Sequence, residues 1–307
     1  MKTSKHNTSP LSNCVPLHEN FFCFGLGYTA ARLALKLKSN HWDISGTLRK
    51  VNRNEISELT GIKCIPFDRD QQLIPNAKIF SDANFLLSSI PPDNLGDPVI
   101  QQYKNAIANS KSISWVGYLS TTGVYGNRDG NWVDENDKPL PGNERSRRRV
   151  LAENQWLDLW KVYGIPVHIF RLAGIYGPTR NALESLRTGK AKRIHKPGHA
   201  FSRIHVDDIV QILIASMVAP NSGSIYNVCD DEAAPPSEVI TYACQLLGIK
   251  PPPLENFDPN NLSSMALTFW SENRRVRNNR IKHELGVKLS YPNYRVGLTA
   301  LHKTFFT

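Results

Sequence analysis

The residues Phe21-Phe22-Cys23-Phe24 form a short apolar run that stops abruptly at Gly25-Leu26-Gly27-Tyr28-Thr29-Ala30, after which Ala30, Leu33, Ala34 and Leu37 recur at helical spacing. This is a strand, a tight turn and an amphipathic helix, with a Gly-x-Gly-x-x-Ala pattern at the junction. The first glycine of such a pattern permits the turn, and the second lets backbone approach a pyrophosphate. The small third residue lets helix and strand pack closely. Free N–H groups at the helix start then face the anion, and the helix dipole adds favourable potential. Gly25, Leu26, Gly27, Tyr28, Thr29 and Ala30 are therefore the expected dinucleotide-binding loop.

The alternation continues downstream. Trp42–Leu48 reads as a strand, Glu55–Thr60 as a short helix, Lys63–Phe67 as a strand and Asn84–Ile90 as a buried strand stopped by Pro91-Pro92. Val99, Ile100, Tyr103, Ala106 and Ile107 mark an amphipathic helix, Ser114–Ser120 a further strand, and Trp156, Leu159, Trp160 and Tyr163 the apolar stripe of the next helix. Pro166–Leu172 closes the series as a strand. Parallel strands need crossover connections, so the order implies a parallel sheet with helices on both faces: an α/β, Rossmann-type doubly wound fold. Residues 1–19 show no periodicity and read as a mobile tail, and 20–176 as the nucleotide-binding domain, its sheet completed by about 204–230. Beyond Gly177 the alternation weakens and Pro/Gly signals multiply, so 177–203 and 231–301 read as a smaller C-terminal substrate-covering region.

Composition excludes several classes. The 307-residue chain is 40% hydrophobic, enough for a packed core. Its apolar stretches fall short of the roughly 18 residues that cross a bilayer, and the N-terminal segment lacks the apolar core of a secretory signal, so a cytoplasmic protein without a membrane partner is expected. Five scattered cysteines with no Cys-x-x-Cys pair read as inert thiols. His195 and His199 are separated by Pro197-Gly198, which prevents a helix from presenting both rings to a metal, so no metal site is expected. The formal charge of +10 includes clusters at Arg145, Arg147, Arg148 and Arg149 and at Arg274, Arg275, Arg277 and Arg280. Without interleaved aromatics or a helix-turn-helix or zinc-finger spacing, this excess points to an anionic small molecule or a solvated surface rather than nucleic acid.

A site specific for NAD would place an acid at the end of the second strand to hold the ribose hydroxyls. Here the residues are Thr47-Leu48-Arg49-Lys50. The planar fork of Arg49 suits a 2′-phosphate, so NADP is favoured over NAD as cofactor, with a solvent-facing basic loop as the alternative.

Later segments resemble the extended branch of the short-chain dehydrogenase/reductase superfamily, the NAD-dependent epimerase/dehydratase group. They are Leu119-Ser120-Thr121-Thr122-Gly123-Val124-Tyr125-Gly126, Phe170–Pro178, Arg203-Ile204-His205-Val206-Asp207-Asp208 and Ile225-Tyr226-Asn227-Val228, and the resemblance runs from about Phe21 to Leu301. It implies that Thr121 orients a substrate oxygen, that Asp68 contacts the adenine amine, and that Ser88, Ser89, Ile90 and Pro91 line the cofactor. It also implies a substrate-side motif at Arg203 and His205, which with Arg187, Lys190 and Arg193 would make an anion-binding rim. Family members often pair as homodimers through helices of the main domain. The family's Tyr-x-x-x-Lys signature is absent: aligned on Ala152-Glu153, Arg145 stands at the tyrosine position and Arg149 at the lysine position. Arginine is a poor proton donor or acceptor at neutral pH, although Arg149 can still supply positive charge and bind ribose hydroxyls. Tyr125 is the tyrosine nearest Thr121 in a recognised motif, and it reads either as a proton relay or as a packing residue.

Two functions follow. One is an NADP-dependent oxidoreductase or epimerase-like enzyme acting on an anionic, nucleotide-linked small molecule, with Thr121 as polar anchor, Tyr125 or water as proton relay and Arg149 as electrostatic support. The other is a catalytically inactive NADP-binding protein whose occupancy reports redox state to a partner.

Overall fold

A computed structural model describes residues 18–49, 61–70 and 82–305. Lys50, the helix expected at Glu55–Thr60 and most of the expected tail lie outside the described residues. The first strand, β1 (Asn20–Phe24), leads through the glycine turn into α1 (Tyr28–Lys38), β2 (Asp43–Leu48), β3 (Lys63–Pro66) and β4 (Phe85–Ser88). Then follow α2 (Pro98–Ala108), β5 (Trp115–Thr121), β6 (Trp132–Val133), α3 (Glu144–Tyr163) and β7 (Val167–Leu172).

Local chemistry sets these boundaries. The Asp97 carboxylate caps α2 by accepting from Val99 N (2.9 Å) and Ile100 N (3.1 Å), and Pro98 occupies the first turn, where its missing N–H costs nothing. The other Asp97 oxygen accepts from Trp156 Nε1 at 3.1 Å, so one buried carboxylate starts α2 and fastens α3 to it. Gly164 ends α3 in a left-handed conformation.

Seven parallel strands form the central sheet in the order β3-β2-β1-β4-β5-β7-β11, with β11 at Ile225–Val228. The strand order reverses between β1 and β4. At such a switch point neighbouring loops diverge to opposite faces and leave a crevice beyond the carboxyl ends of the strands. Both faces are covered: Phe22, Phe24, Leu86, Val116 and Tyr118 pack under α2 and α3, whereas Phe21, Cys23, Phe85 and Leu87 pack under α1 and α5 (Val206–Val218). Each large side chain buried this way contributes roughly 1.5–3 kcal/mol, which is why the strands read as unbroken apolar runs. The stripe expected on α3 is only half right. Ala152, Trp156 and Leu159 form the buried line, whereas Trp160 and Tyr163 sit on the next line around the helix and remain 37% and 47% exposed.

Beyond β7 the chain builds a smaller layer. A parallel pair, β8 (Gly174–Tyr176) and β10 (Arg203–His205), stands apart from the main sheet. It is flanked by α4 (Ala182–Arg187), α6 (Pro236–Leu247) and α9 (Tyr294–Phe305), whose apolar residues meet Tyr176 in a third cluster. A short β13 (Arg275–Val276) pairs with β6 and returns the chain toward the main sheet. The cysteines at 23, 64, 229 and 244 are free thiols. Among the described residues, no helix is long and apolar enough to cross a membrane.

A buried polar network joins α3 to the sheet. Arg171 on β7 donates to both oxygens of Glu153 on α3 (Nη2–Oε2 2.8 Å), with both side chains 3% exposed, and Ser120 donates to the same carboxylate. Arg171 also donates to the Tyr125 hydroxyl at 2.9 Å, and that hydroxyl donates to Asn227 Oδ1 on β11 at 2.8 Å. Despite desolvation, the carboxylate holds the Arg171 guanidinium in its charged form. Glu153→Ala would strand this charge in the core, and unfolding in urea is expected to show about 3–5 kcal/mol lost. A loss below about 1 kcal/mol would mean that the network carries little of the fold's stability.

Candidate functional site

The crevice is built around Gly25. Its N–H donates to Thr47 Oγ1 on β2 at 2.8 Å, the next amide, Leu26 N, donates to Thr47 O at 2.8 Å, and the Ser89 hydroxyl after β4 donates to Gly25 O. The turn is thereby tied to both strands that flank β1. Gly25 has φ +86°, and a Cβ there would lie 2.9 Å from Ile90 Cγ1 and 3.0 Å from Ser89 Oγ, so only glycine fits. Gly27 differs: it has φ −83°, and a Cβ added to it would meet nothing within 4 Å. It is the N-cap of α1, with no side chain capping the first-turn N–H groups among the described residues. This is the cradle a diphosphate needs, and the residues present fit such a group.

Tyr28 adds a contact that sequence reasoning missed. Its hydroxyl donates to Pro178 O at 2.8 Å, and the Arg180 guanidinium lies 5.9 Å from its ring centre. The loop is thus pinned to the turn after β8, where a Cβ on Gly177 would come within 2.7 Å of that hydroxyl. Thr29 and Ala30 are buried against the sheet and hold the helix close.

The structure sorts the remaining cofactor candidates. Thr47 is fully buried with its hydroxyl committed to Gly25, so it shapes the loop and is out of reach of a ribose, which corrects the expected cofactor contact. Arg49 is exposed at the end of β2 and forms no ion pair among the described residues. Asp68 Oδ1 accepts from Asp70 N at 3.0 Å, a turn cap at the end of β3. The neighbouring Arg69, not foreseen, donates to both Asp93 oxygens (2.6 and 2.5 Å) and to Gly96 O (2.9 Å). It thereby ties the rim beside β3 to the turn after β4, and its guanidinium holds the Asp93 carboxyl below its usual range. Ser88 is fully buried within β4, whereas Ser89 and Ile90 stand beside Gly25 and Pro91 is exposed.

At the edge of β5, Thr121 Oγ1 accepts from Gly123 N at 3.1 Å and caps a short turn, leaving its O–H as a donor. Arg149 Nη1 donates to the Tyr118 hydroxyl and to Leu119 O, both at 2.9 Å, so its guanidinium rests against the carboxyl end of β5. Ser146, absent from any recognised motif, is brought to the same place: a Cβ on Gly123 would lie 3.3 Å from both Ser146 Oγ and Thr121 Oγ1. Arg145 projects into solvent from the first turn of α3. Tyr125 is removed from the candidate proton relays. It is 0% exposed, its hydroxyl is held by Arg171 and Asn227, and burial pushes it up to about 12.

His205 requires a similar correction as a substrate contact. It is 1% exposed, its ring lies between Tyr176 and Tyr291, and its Nδ1 accepts from Asp207 N at 3.2 Å. Burial lowers it to about 4, so it is a neutral core residue. Arg203 faces the small layer, donating through Nη1 to Phe201 O (2.8 Å) and Ala234 O (2.9 Å). The second arginine cluster is absorbed into the fold: Arg274 donates to Gly126 O (2.8 Å) and Glu272 (2.6 Å), Arg277 lies over Trp132, and Arg280 reaches Ile225 O and Asn136. Among the described residues no group of three His, Cys, Asp or Glu side chains could hold a metal ion.

A doubly wound sheet with a glycine-lined cradle at its switch point defines a nucleotide-binding protein of the Rossmann type. Residues 25–229 match the NAD dependent epimerase/dehydratase family, and the chain belongs to it. It is 27% identical over 281 residues to Protein YeeZ of Escherichia coli (strain K12), covering 88% of this chain and 95% of that one. A functionally unknown conserved protein from Silicibacter pomeroyi DSS has a similar structure (48% identity, TM-score 0.86, 93% of this chain and 98% of that one). UDP-glucuronic acid 4-epimerase from Bacillus cereus, in complex with UDP-glucuronic acid and NAD, shares the fold at 16% identity (TM-score 0.75, 92% of this chain and 98% of that one).

The two glycines should respond oppositely to substitution. Gly25→Ala is expected to cost about 1–3 kcal/mol through strain and collision, whereas Gly27→Asp should leave stability unchanged or slightly raised, because aspartate is a favoured N-cap. Equal losses in thermal unfolding would contradict the described loop. Asp230, after β11, has a buried Oδ2 with no hydrogen-bond partner among the described residues, and burial pushes its carboxyl up to about 8. The fold therefore prefers the protonated acid, and the penalty is absent below the unfolded value of about 3.9 and grows as pH rises toward 8. Asp230→Asn should match wild-type stability near pH 4 and exceed it increasingly up to pH 8. A stability difference that does not change with pH would show that the carboxyl is not held protonated.

Proposed function

We propose that the chain binds a nicotinamide dinucleotide across the switch point and works as an NADP-dependent oxidoreductase or epimerase-like enzyme on an anionic, nucleotide-linked small molecule. The observation that carries this reading is the open cradle at Gly27, where uncapped helix amides face a space that any side chain would enter. The Bacillus cereus epimerase, with the same fold, is in complex with NAD, which supports the assignment. Gly25, Leu26, Gly27 and the start of α1 would hold the diphosphate, and Ser89, Ile90 and Pro91 would form the opposite wall. Arg49, exposed and outside any ion pair among the described residues, favours a cofactor that carries a 2′-phosphate.

The bound nicotinamide would supply hydride exchange. The chain's own part is positional and electrostatic. The Thr121 hydroxyl would donate to a substrate oxygen, and the remaining N–H donors of Arg149 would stabilise negative charge developing there or hold ribose hydroxyls. With Tyr125 sealed in the core, proton exchange falls to water or to the substrate itself. That same feature favours the second reading, an inactive redox-reporting protein, because neither Thr121 nor Arg149 is a side chain suited to exchanging protons near neutrality.

Equilibrium binding of NAD, NADH, NADP and NADPH to the folded protein tests the proposal. Saturable binding is expected, with NADP(H) preferred. Gly27→Asp should weaken it at least tenfold, about 1.4 kcal/mol, without unfolding the chain, and Arg49→Ala should erase the preference for the 2′-phosphate. Absence of saturable binding by all four nucleotides would defeat the proposal. A panel of nucleotide sugars and carbonyl compounds, followed by nicotinamide absorbance for net oxidoreduction and by product analysis for redox-neutral epimerisation, would then separate the enzyme from the redox reporter.

A further inference from the structure

A second opening lies in the small layer. It is a half-open cavity of about 300 Å³ lined by α4, the segment 190–192, the β8–β10 pair, the start of α6 and α9. Lys190, Lys192 and Arg203 line it together with Tyr176 and Tyr294, and Val239 and Leu298 are among its apolar lining. It shares no lining residue with the glycine loop, the wall after β4 or the edge of β5. Side-chain alternation explains the separation: Ile175 and Ile204 point into the core of the main sheet, whereas their neighbours Tyr176 and Arg203 face the cavity.

The charge of this cavity is one-sided. No aspartate or glutamate lines it, and none of its three cations forms an ion pair among the described residues. Two acids near Arg203, Asp230 and Glu232, favour its charged form, but neither lines the cavity or forms an ion pair with it among the described residues. Glu232 gives both oxygens to Arg295 at 2.7 Å, and burial raises the Asp230 carboxyl while Arg203 opposes that rise. Arg203 itself is fixed by two carbonyl oxygens, and burial works against its charge. A guanidinium held in a low-dielectric wall without a hydrogen-bonded carboxylate is stabilised by an anion that reaches it. Lys190 and Lys192 are exposed and would draw such an anion inward. The volume lies at the lower end for small-molecule pockets, too small for a dinucleotide and sufficient for a compact organic phosphate.

We infer that this cavity is a second ligand site, separate from the dinucleotide crevice, that takes a small phosphate monoester with an apolar body. The phosphate meets Arg203 and the two lysines, and the apolar body lies against Val239 and Leu298. The assignment does not rest on dinucleotide binding.

Equilibrium dialysis of the full chain with phenyl phosphate tests it, with benzoate as the singly charged comparison. One equivalent of phenyl phosphate should bind, at least fivefold tighter than benzoate, and saturating NADPH should not displace it. The Gly27→Asp variant should bind it equally well, which keeps the result distinct from the fate of the dinucleotide crevice. The surface pair Lys190→Glu/Lys192→Glu, which leaves the core intact, should bind at least tenfold more weakly, and Arg203→Met should do the same if it folds. Failure of the wild-type protein to bind, displacement by NADPH, affinity for benzoate equal to that for phenyl phosphate, or indifference to the lysine reversals would each overturn the inference.

Discussion

The architecture of the crevice depends on how one glycine is fastened. Gly25 gives its N–H to Thr47 and receives the Ser89 hydroxyl on its carbonyl, so the end of β1 is tied to β2 on one side and to the segment after β4 on the other. These are the two strands toward which the chain turns in opposite directions, and without such ties the loops at the switch point would be free to close over it. The absence of a Cβ is what lets Ile90 approach, while the Gly27 N–H closes the turn on Gly25 O at 2.8 Å and the start of α1 carries no side-chain cap. Position 25 is therefore constrained by packing, whereas no described residue stands where a side chain at position 27 would begin. Among the described residues the space beside it has no occupant, which is the physical reason to propose a ligand there.

The polar residues near β5 divide along the same line. Ser120, Tyr125, Glu153, Arg171 and Asn227 saturate one another in the core, where an unpaired member would cost several kcal/mol, and this removes Tyr125 from chemistry. Thr121, Ser146 and Arg149 sit one step further out, each partly engaged in local structure and each retaining donors. The set can orient and stabilise but is poorly suited to exchange protons. A tyrosine at the position of Arg145 would have added that capacity; arginine there projects into solvent.

The sheet was legible in the sequence because both faces of a parallel sheet are buried, so each strand appears as an apolar run between turn signals. The glycine loop was legible for a different reason: its spacing encodes a backbone shape. Residues whose role depends on distant partners were not legible. Nothing in a linear reading shows that Thr47 spends its hydroxyl on Gly25, that Tyr28 reaches Pro178, or that Ser146 lands beside Thr121. His205 carries the residue type of a ligand contact, yet the register of β10 turns it inward, and Trp160 follows the helical spacing of the α3 stripe yet stays part-exposed because adjacent lines on a helix differ only by a small rotation.

The net charge gains meaning only when it is distributed. Formal charge of +10 invites a reading in terms of long-range attraction, but most of the clustered arginines are committed to short-range partners. Arg147 and Arg148 pair with Glu144, and Arg274, Arg277 and Arg280 anchor loops and rings around β6, β11 and β13. Among the described residues, the cations outside ion pairs include Arg49, at the end of β2, and Lys190, Lys192 and Arg203 around the small-layer cavity. The two locations have different electrostatics. An exposed Arg49 adds a screened attraction that falls with salt, whereas a buried Arg203 has already been desolvated by the fold. An anion meeting Arg203 therefore gains from a cost that folding has already met, so a modest cavity can hold a small ligand where an exposed cluster of the same charge would not.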